Sequence, residues 1–321
     1  MKSKFLFQVI FLAVFSLLMF SCRYDIHVYN EIPVEGRLPV YSSDYDKEKG
    51  HDNWAKVEVI IRQGHLHGKN FHGNPELDIP ILPMVQKVIF EQTPQGVKRT
   101  IDKGKSKRKD DDAIEVIASS EEGTRYAMEI IYYNSAGERI NYQYLTPEQL
   151  PIHQHFFTVD KYTNFKTGRV FTAPKLEFFA HLYTYEYRDT NPDDQMFDRK
   201  NPNVKLLGSP VGLKGYFLFK KELKQTRFNM VVRLNHFKQN KMGANGKFED
   251  ANNPSRRARR QSVTDFYQKI PFVVVGYDGL TREETDQYFK DLAEYYGISE
   301  DDVEDYILGG DIDPESGGFW M

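Results

Sequence analysis

The sequence predicts a mostly β protein: two tandem antiparallel β-sandwich-like domains followed by a short C-terminal helical tail. Short stretches alternate apolar and polar residues with a period of two, as half-buried strands require. Aromatic side chains, which favour the pleated sheet, are abundant, with 20 Tyr and 23 Phe in 321 residues. Thr226-Arg-Phe-Asn-Met-Val-Val232 also echoes Thr124-Arg-Tyr-Ala-Met-Glu-Ile130. That spacing of about one hundred residues suits a duplicated sandwich domain. The expected division is a signal peptide at 1–21, an extended tether at 22–53, a β domain at 54–162, a second at 163–280 and a helical tail at 281–321.

At the start, Lys2 and Lys4 precede an apolar run, 5–20, which ends at Ser21 and Cys22. A basic beginning, an apolar core and a small residue before the break make a secretory signal, and the run is short for a membrane span. Cys22 is the only cysteine, so no intrachain disulfide can form. Leu18-Met19-Phe20-Ser21-Cys22 resembles a bacterial lipobox, with Phe20 larger than the pattern prefers. The resemblance implies that the Cys22 thiol carries a diacylglycerol, with fatty acids such as palmitate, and anchors the protein to a membrane. Arg23 stands where an inner-membrane lipoprotein has aspartate, which implies the outer membrane or cell surface. The formal net charge of −3 becomes more negative once Lys2 and Lys4 leave, so there is no basic footprint for nucleic acid.

The tether holds Pro33, Gly36, Pro39 and a polar run at 42–50; His27 and His51 lie in or near it and are expected to face solvent. The stretch 56–62 reads as a strand with Val57, Val59 and Ile61 inward, and 85–91 and 113–118 repeat the pattern. Between them, 103–112 is a charged, solvated loop. Residues 125–133 form a strong strand, 134–137 a turn, and 138–144 the expected hairpin partner. A strand opened by Pro151 carries His153, His155, Phe157 and Val159. Downstream, 175–188 is expected to be a strand bearing His181, Tyr183, Tyr185 and Tyr187; 215–220, 226–232 and 270–275 are further strands. Arg256-Arg-Ala-Arg-Arg260 reads as a hairpin-tip loop. Thr281 and Glu284 form a capping box before a helix striped with Tyr288, Leu292, Tyr295 and Tyr296 and ended by Gly297. Ser299 caps an acidic second helix. The oxygens at 311–317 alternate as in a calcium loop, but Gly317 comes one place late and Pro314 is unfavourable.

The chemistry centres on histidine. Residues two apart on a strand share a face, so His65 points with His67 and His153 with His155. Both pairs share parity with inward residues of their own strands, placing four imidazoles at the mouth of a core. Gly64, Gly68 and Gly73 let the chain turn and bring His72 back, while His181 follows Phe179 in the same sense. Clustered neutral imidazoles suit zinc, copper, nickel or iron, with zinc or copper foremost, and poorly suit calcium or magnesium. Glu76 or Asp78 could add a carboxylate; His236 lies in line with Phe228, Met230, Val232 and Leu234 and reads as core.

The leading expectation is a lipid-anchored envelope protein that captures a transition metal through His65, His67, His153 and His155, with His72 or His181 completing the site. Delivery to an outer-membrane transporter would follow. Haem with Tyr183 or Tyr185 is a variant, and a structural or adhesive surface protein without metal is the competing class. An enzyme is disfavoured: the alternating helices an amidohydrolase needs are missing, Glu76 lies too far from the His pair for a cupin, and neither a Gly-x-Ser-x-Gly elbow nor a phosphate loop is present.

Overall fold

The computed structural model describes residues 49–321 apart from 77–78, 105, 108–111, 173–175, 279–280 and 309–317. The signal peptide, Cys22, His27, Asp78 and the segment 311–317 thus lie outside the described residues. The chain divides into a unit of Ser42–Gln92 with Lys98–Met321, and a second of Met1–Tyr41 with Thr93–Val97, whose described part is a hairpin tip. Among the described residues no helix is long and apolar enough to cross a membrane.

The strands in chain order are β1 (Lys56–His67), β2 (Asn70–Gly73), β3 (Val85–Thr93), β4 (Gly96–Asp102), β5 (Ile114–Ala118), β6 (Arg125–Tyr133), β7 (His153–Asn164), β8 (Val170–Thr172), β9 (Tyr183–Tyr187), β10 (Thr190–Asn191), β11 (Lys205–Leu206), β12 (Lys214–Phe219), β13 (Thr226–Phe237) and β14 (Ser262–Tyr277). A 7-stranded sheet runs β4-β3-β1-β6-β12-β9, with β2 paired to the far end of β1. A 5-stranded sheet runs β5-β14-β13-β7-β8, and β10 and β11 pair separately. All these pairings are antiparallel except β5 against β14.

Alternation builds the faces as expected. Val57, Val59 and Ile61 are buried on β1, as are Tyr126, Met128, Ile130 and Tyr132 on β6 and Phe228, Met230, Val232 and Leu234 on β13. The two sheets meet through aromatic rings. Phe217 of β12 lies 5.3 Å, centroid to centroid, from Phe157 of β7, and Phe219 lies 5.5 Å from Phe272 of β14. Phe266 of β14 touches Phe90 of β3 and Tyr132 of β6 at 5.7 and 5.5 Å. Each fully buried ring of this kind contributes about 2–3 kcal/mol by area alone.

Several expectations need correction. Each large sheet takes strands from both expected halves: β6 pairs with β12, and β7 with β13. A tandem division near residue 162 is therefore not how the sheets are built. The stretch 138–144 is not a hairpin strand. It makes one bridge, Tyr133 to Arg139, then enters a 3-10 helix at Asn141–Leu145. Its partner role passes to the Asn141 side chain, which accepts from the Tyr132 amide and donates to the Ile130 carbonyl, both at 2.8 Å. The stretch 175–188 also divides, into a 3-10 helix, Leu176–Leu182, and β9. The basic run is helix α1 (Arg256–Arg260) rather than a loop, capped by the Ser255 side chain.

The tail is helical as expected. In α2 (Arg282–Tyr296) the Thr281–Glu284 capping box is formed, and Gly297 ends the helix at φ 64°, where a side chain would be strained. Helix α3 (Glu300–Leu308) follows. Tyr288, Leu292, Tyr295 and Tyr296 are buried; a Cβ on Gly276 of β14 would meet the Tyr288 ring, so the glycine lets α2 approach the sheet.

Candidate metal centres

Two groups of side chains among the described residues bring their donor atoms within 4.8 Å of one another and could hold a metal ion. One is His51, His153, His236 and Asp265; the other is His65, His67 and His72.

Strand pairing assembles most of the first group. His153 of β7 and His236 of β13 are direct cross-strand partners, so both rings leave the same face. Asp265 comes from an irregularity in β14. Leu234 pairs with Phe266 but Asn235 with Thr264, leaving Asp265 as the extra residue of a bulge. Strict alternation would send Asp265 away from Phe266, whereas the bulge re-aims it to the buried face. His51 arrives from the segment before β1. That segment is strapped down by the Asp52 amide donating to Gln143 Oε1 at 2.6 Å and by Trp54 Nε1 donating to the Asp265 carbonyl at 3.0 Å.

Asp265 Oδ2 is the focus. It lies 3.3 Å from His51 Nε2, 3.2 Å from His153 Nε2 and 3.4 Å from His236 Nδ1. Donor atoms held at about 2.0–2.1 Å from one ion in a tetrahedron are about 3.3 Å apart, so these three separations have the length of tetrahedral edges. The tautomers point the same way. His51 Nδ1 donates to the Asp52 carbonyl and His153 Nδ1 to the Gln149 carbonyl, both at 3.0 Å. A neutral imidazole that donates from Nδ1 carries a lone pair on Nε2. Burial pushes His153 down to about 4, so it is neutral at pH 7. Burial works against charge on Asp265, but the imidazoles of His153, His236 and His51 beside it outweigh that and hold the carboxyl well below its usual range. With Nδ1 of His51 and of His153 donating to a carbonyl, it is Nε2 of each ring that is turned to Asp265 Oδ2, the atom from which an imidazole held in this way ligates a metal ion. His51 Nε2 and His236 Nδ1 make no hydrogen bond. Lys49 Nζ stands 3.9 Å from the other carboxylate oxygen, Oδ1, leaving Oδ2 to the imidazoles.

The second group sits on the β1–β2 hairpin. His65 and His72 are cross-strand partners, and His67 shares the face of His65. Gly68 makes the turn at φ 67°. His65 Nε2 and His67 Nε2 are 3.0 Å apart, and His65 Nδ1 is 3.0 Å from Asn74 Oδ1. His65 and His67 are half-buried and His72 is buried, its ring stacked on Trp320 at 4.2 Å.

The expected four-histidine convergence does not occur. His65, His67 and His72 meet one another, but His153 belongs to the other group. His155 points into the core as its parity implied, yet both its nitrogens are engaged: Nδ1 donates to the Val211 carbonyl at 2.9 Å, and Nε2 accepts from the Tyr132 hydroxyl at 2.7 Å. Burial pushes it down to about 3, so it is a neutral, satisfied core histidine. His181 is exposed on its 3-10 helix, outside both groups. Glu76 pairs with Arg62 at 2.5 Å instead of joining the histidines. Tyr183 donates to the Phe157 carbonyl at 2.9 Å and Tyr185 packs on Phe157 and Phe217, so the haem variant loses its tyrosines to the core. Sequence reading missed His51, expected in solvent, together with Asp265 and the place of His236 in this group. Only the inward parity of His236 was there to be found.

No family model matches the chain, and neither a curated protein nor a solved structure is similar to it.

Proposed function

We propose that this protein is a lipid-anchored metalloprotein of the cell envelope that holds a transition metal, zinc foremost, between His51, His153, His236 and Asp265. The observation that carries the reading is the convergence of three imidazole nitrogens on one carboxylate oxygen at 3.2–3.4 Å. Three nitrogens and one oxygen without a thiol suit zinc, and four protein donors make a closed site, which fits a resident ion better than a reaction centre. A binding or scaffolding role is therefore favoured over an enzyme at this position. Cys22 is the proposed lipid attachment point, and the outer membrane or cell surface the proposed address.

The test is elemental analysis of untagged protein purified in metal-free buffers. One zinc per chain is expected in the wild type and none in Asp265→Asn. A wild type free of transition metals that also takes none up after chelation and refilling would leave the structural-surface reading in its place. Cys22→Ala should move the protein from the membrane to the soluble fraction without changing its metal content.

A further inference from the structure

Beyond the buried centre, we propose that His65, His67 and His72 form a second site, one that takes up and releases a divalent transition metal, with copper(II) the best fit. The donor set is three imidazoles with no thiol and no carboxylate, which suits copper, nickel or zinc and excludes calcium and magnesium as good occupants. The hairpin presents the set ready-made: His65 opposite His72, His67 two residues on, and the turn at Gly68 closing the end. If Nδ1 of His65 donates to Asn74 Oδ1, its Nε2 lone pair is turned towards His67. The 3.0 Å between the two Nε2 atoms corresponds to donors at about 2.0–2.1 Å from one ion subtending nearly a right angle, as in tetragonal copper(II) sites. Without the ion the same two atoms can share a proton.

What distinguishes this site from the buried one is its openness. It offers three protein donors instead of four, and two of its rings are only half-buried. Solvent or an incoming donor can complete the coordination sphere, which is the route to exchange. One side is roofed by the last residues, 319–321, which meet β2 at an isolated antiparallel bridge between His72 and Trp320. Gly73 donates to the Phe319 carbonyl at 2.8 Å, and Phe71 and Met321 exchange amide hydrogen bonds at 2.9 and 3.0 Å. This pairing sets the Trp320 ring 4.2 Å from His72 and 5.3 Å from His67.

The chain has two tryptophans, and each lies at one site: Trp54 bonds the Asp265 carbonyl, and Trp320 covers the hairpin histidines. The experiment is a copper(II) titration of the zinc-loaded protein, followed by indole fluorescence. The expected result is saturable quenching at one equivalent, reversed by brief EDTA treatment that leaves the buried zinc in place. Quenching should persist in Trp54→Phe and vanish in Trp320→Phe. In His67→Gln, whose ring is half-exposed and whose loss spares the core, affinity should fall at least ten-fold with zinc content and melting temperature unchanged. A His67→Gln titration superimposable on wild type would overturn the proposal, as would quenching that survives in Trp320→Phe. Failure of the buried centre would register separately, as absent zinc, whatever copper does at the hairpin.

Discussion

Stripping the proposed ion from the buried centre should lower the melting temperature sharply, and the structure sets the scale. His51 Nε2 and His153 Nε2 lie 3.3 and 3.2 Å from Asp265 Oδ2, and all three side chains are at most 3% exposed. Water therefore cannot replace the bonds lost with the ion. An ion free at about 1,000 times its dissociation constant adds about 4 kcal/mol to the native state. In a folded body longer than 200 residues, each kcal/mol moves the midpoint by about 2 °C at the lower end, so the expected rise on zinc addition is about 8 °C. The assay is calorimetry on chelator-treated protein, with and without zinc, beside the near-isosteric Asp265→Asn. The variant keeps the shape but loses the anionic donor, and its response should shrink below about 2 °C. Equal midpoints for stripped and zinc-supplemented wild type would refute the centre, as would an undiminished response in Asp265→Asn.

Other perturbations probe the surroundings. Tyr132→Phe removes the hydroxyl bonded to His155 and should cost about 1–3 kcal/mol in denaturant unfolding; zinc loss in this variant would show that His155 takes part in binding after all. Gly64→Ala places a Cβ against the His72 carbonyl and the Phe71 ring, so it should cost about 2 kcal/mol and weaken copper binding at the hairpin while sparing the buried zinc. Burial pushes the Lys214 ammonium from 10.5 down to about 8. The unfolded chain then holds a proton that the native state has released, so the charge costs stability below pH 8 and the cost is relieved between about pH 8 and 10.5. Relative to Lys214→Met, the wild type should gain about 2 kcal/mol between pH 7.5 and 9.5; a flat or opposite trend would contradict this.

Local pattern revealed the strands but not their partners. The period of two in Val57-x-Val59-x-Ile61 follows from one buried face and needs no tertiary knowledge. That β6 lies between β1 and β12 is a long-range choice, which a faint internal echo was too weak to reveal. The hairpin triad was largely legible, because His65, His67 and His72 are close in sequence and joined by a glycine turn. The buried centre was not, for separate reasons. His51 stands in a polar run whose composition signals tether, and its fate depends on Asp52, Gln143 and Trp54 docking that run. His236 repeats an apolar register, so parity shows it inward without showing what it meets. Asp265 is inward only through a bulge, and no residue pattern distinguishes that bulge from continuous alternation.

The unequal origins of the four donors imply unequal roles. His153, His236 and Asp265 sit on β7, β13 and β14, which are hydrogen-bonded neighbours whether or not an ion is present. Little ordering remains to be done among them. His51 precedes β1, a strand of the other sheet, so its bond to the ion would tie the entry of the folded chain to the far sheet. The strap around it has its own attachments through Asp52 and Trp54, so removing the imidazole should not release the segment. His51→Ala should consequently keep the fold and retain a three-donor site with one open position, converting a closed centre into an exchanging one. Zinc should still bind, but a competing chromophoric chelator should extract it at least ten-fold faster than from wild type. Extraction at the wild-type rate would mean that His51 is not a donor and that the ion, if held, rests on the three sheet residues alone.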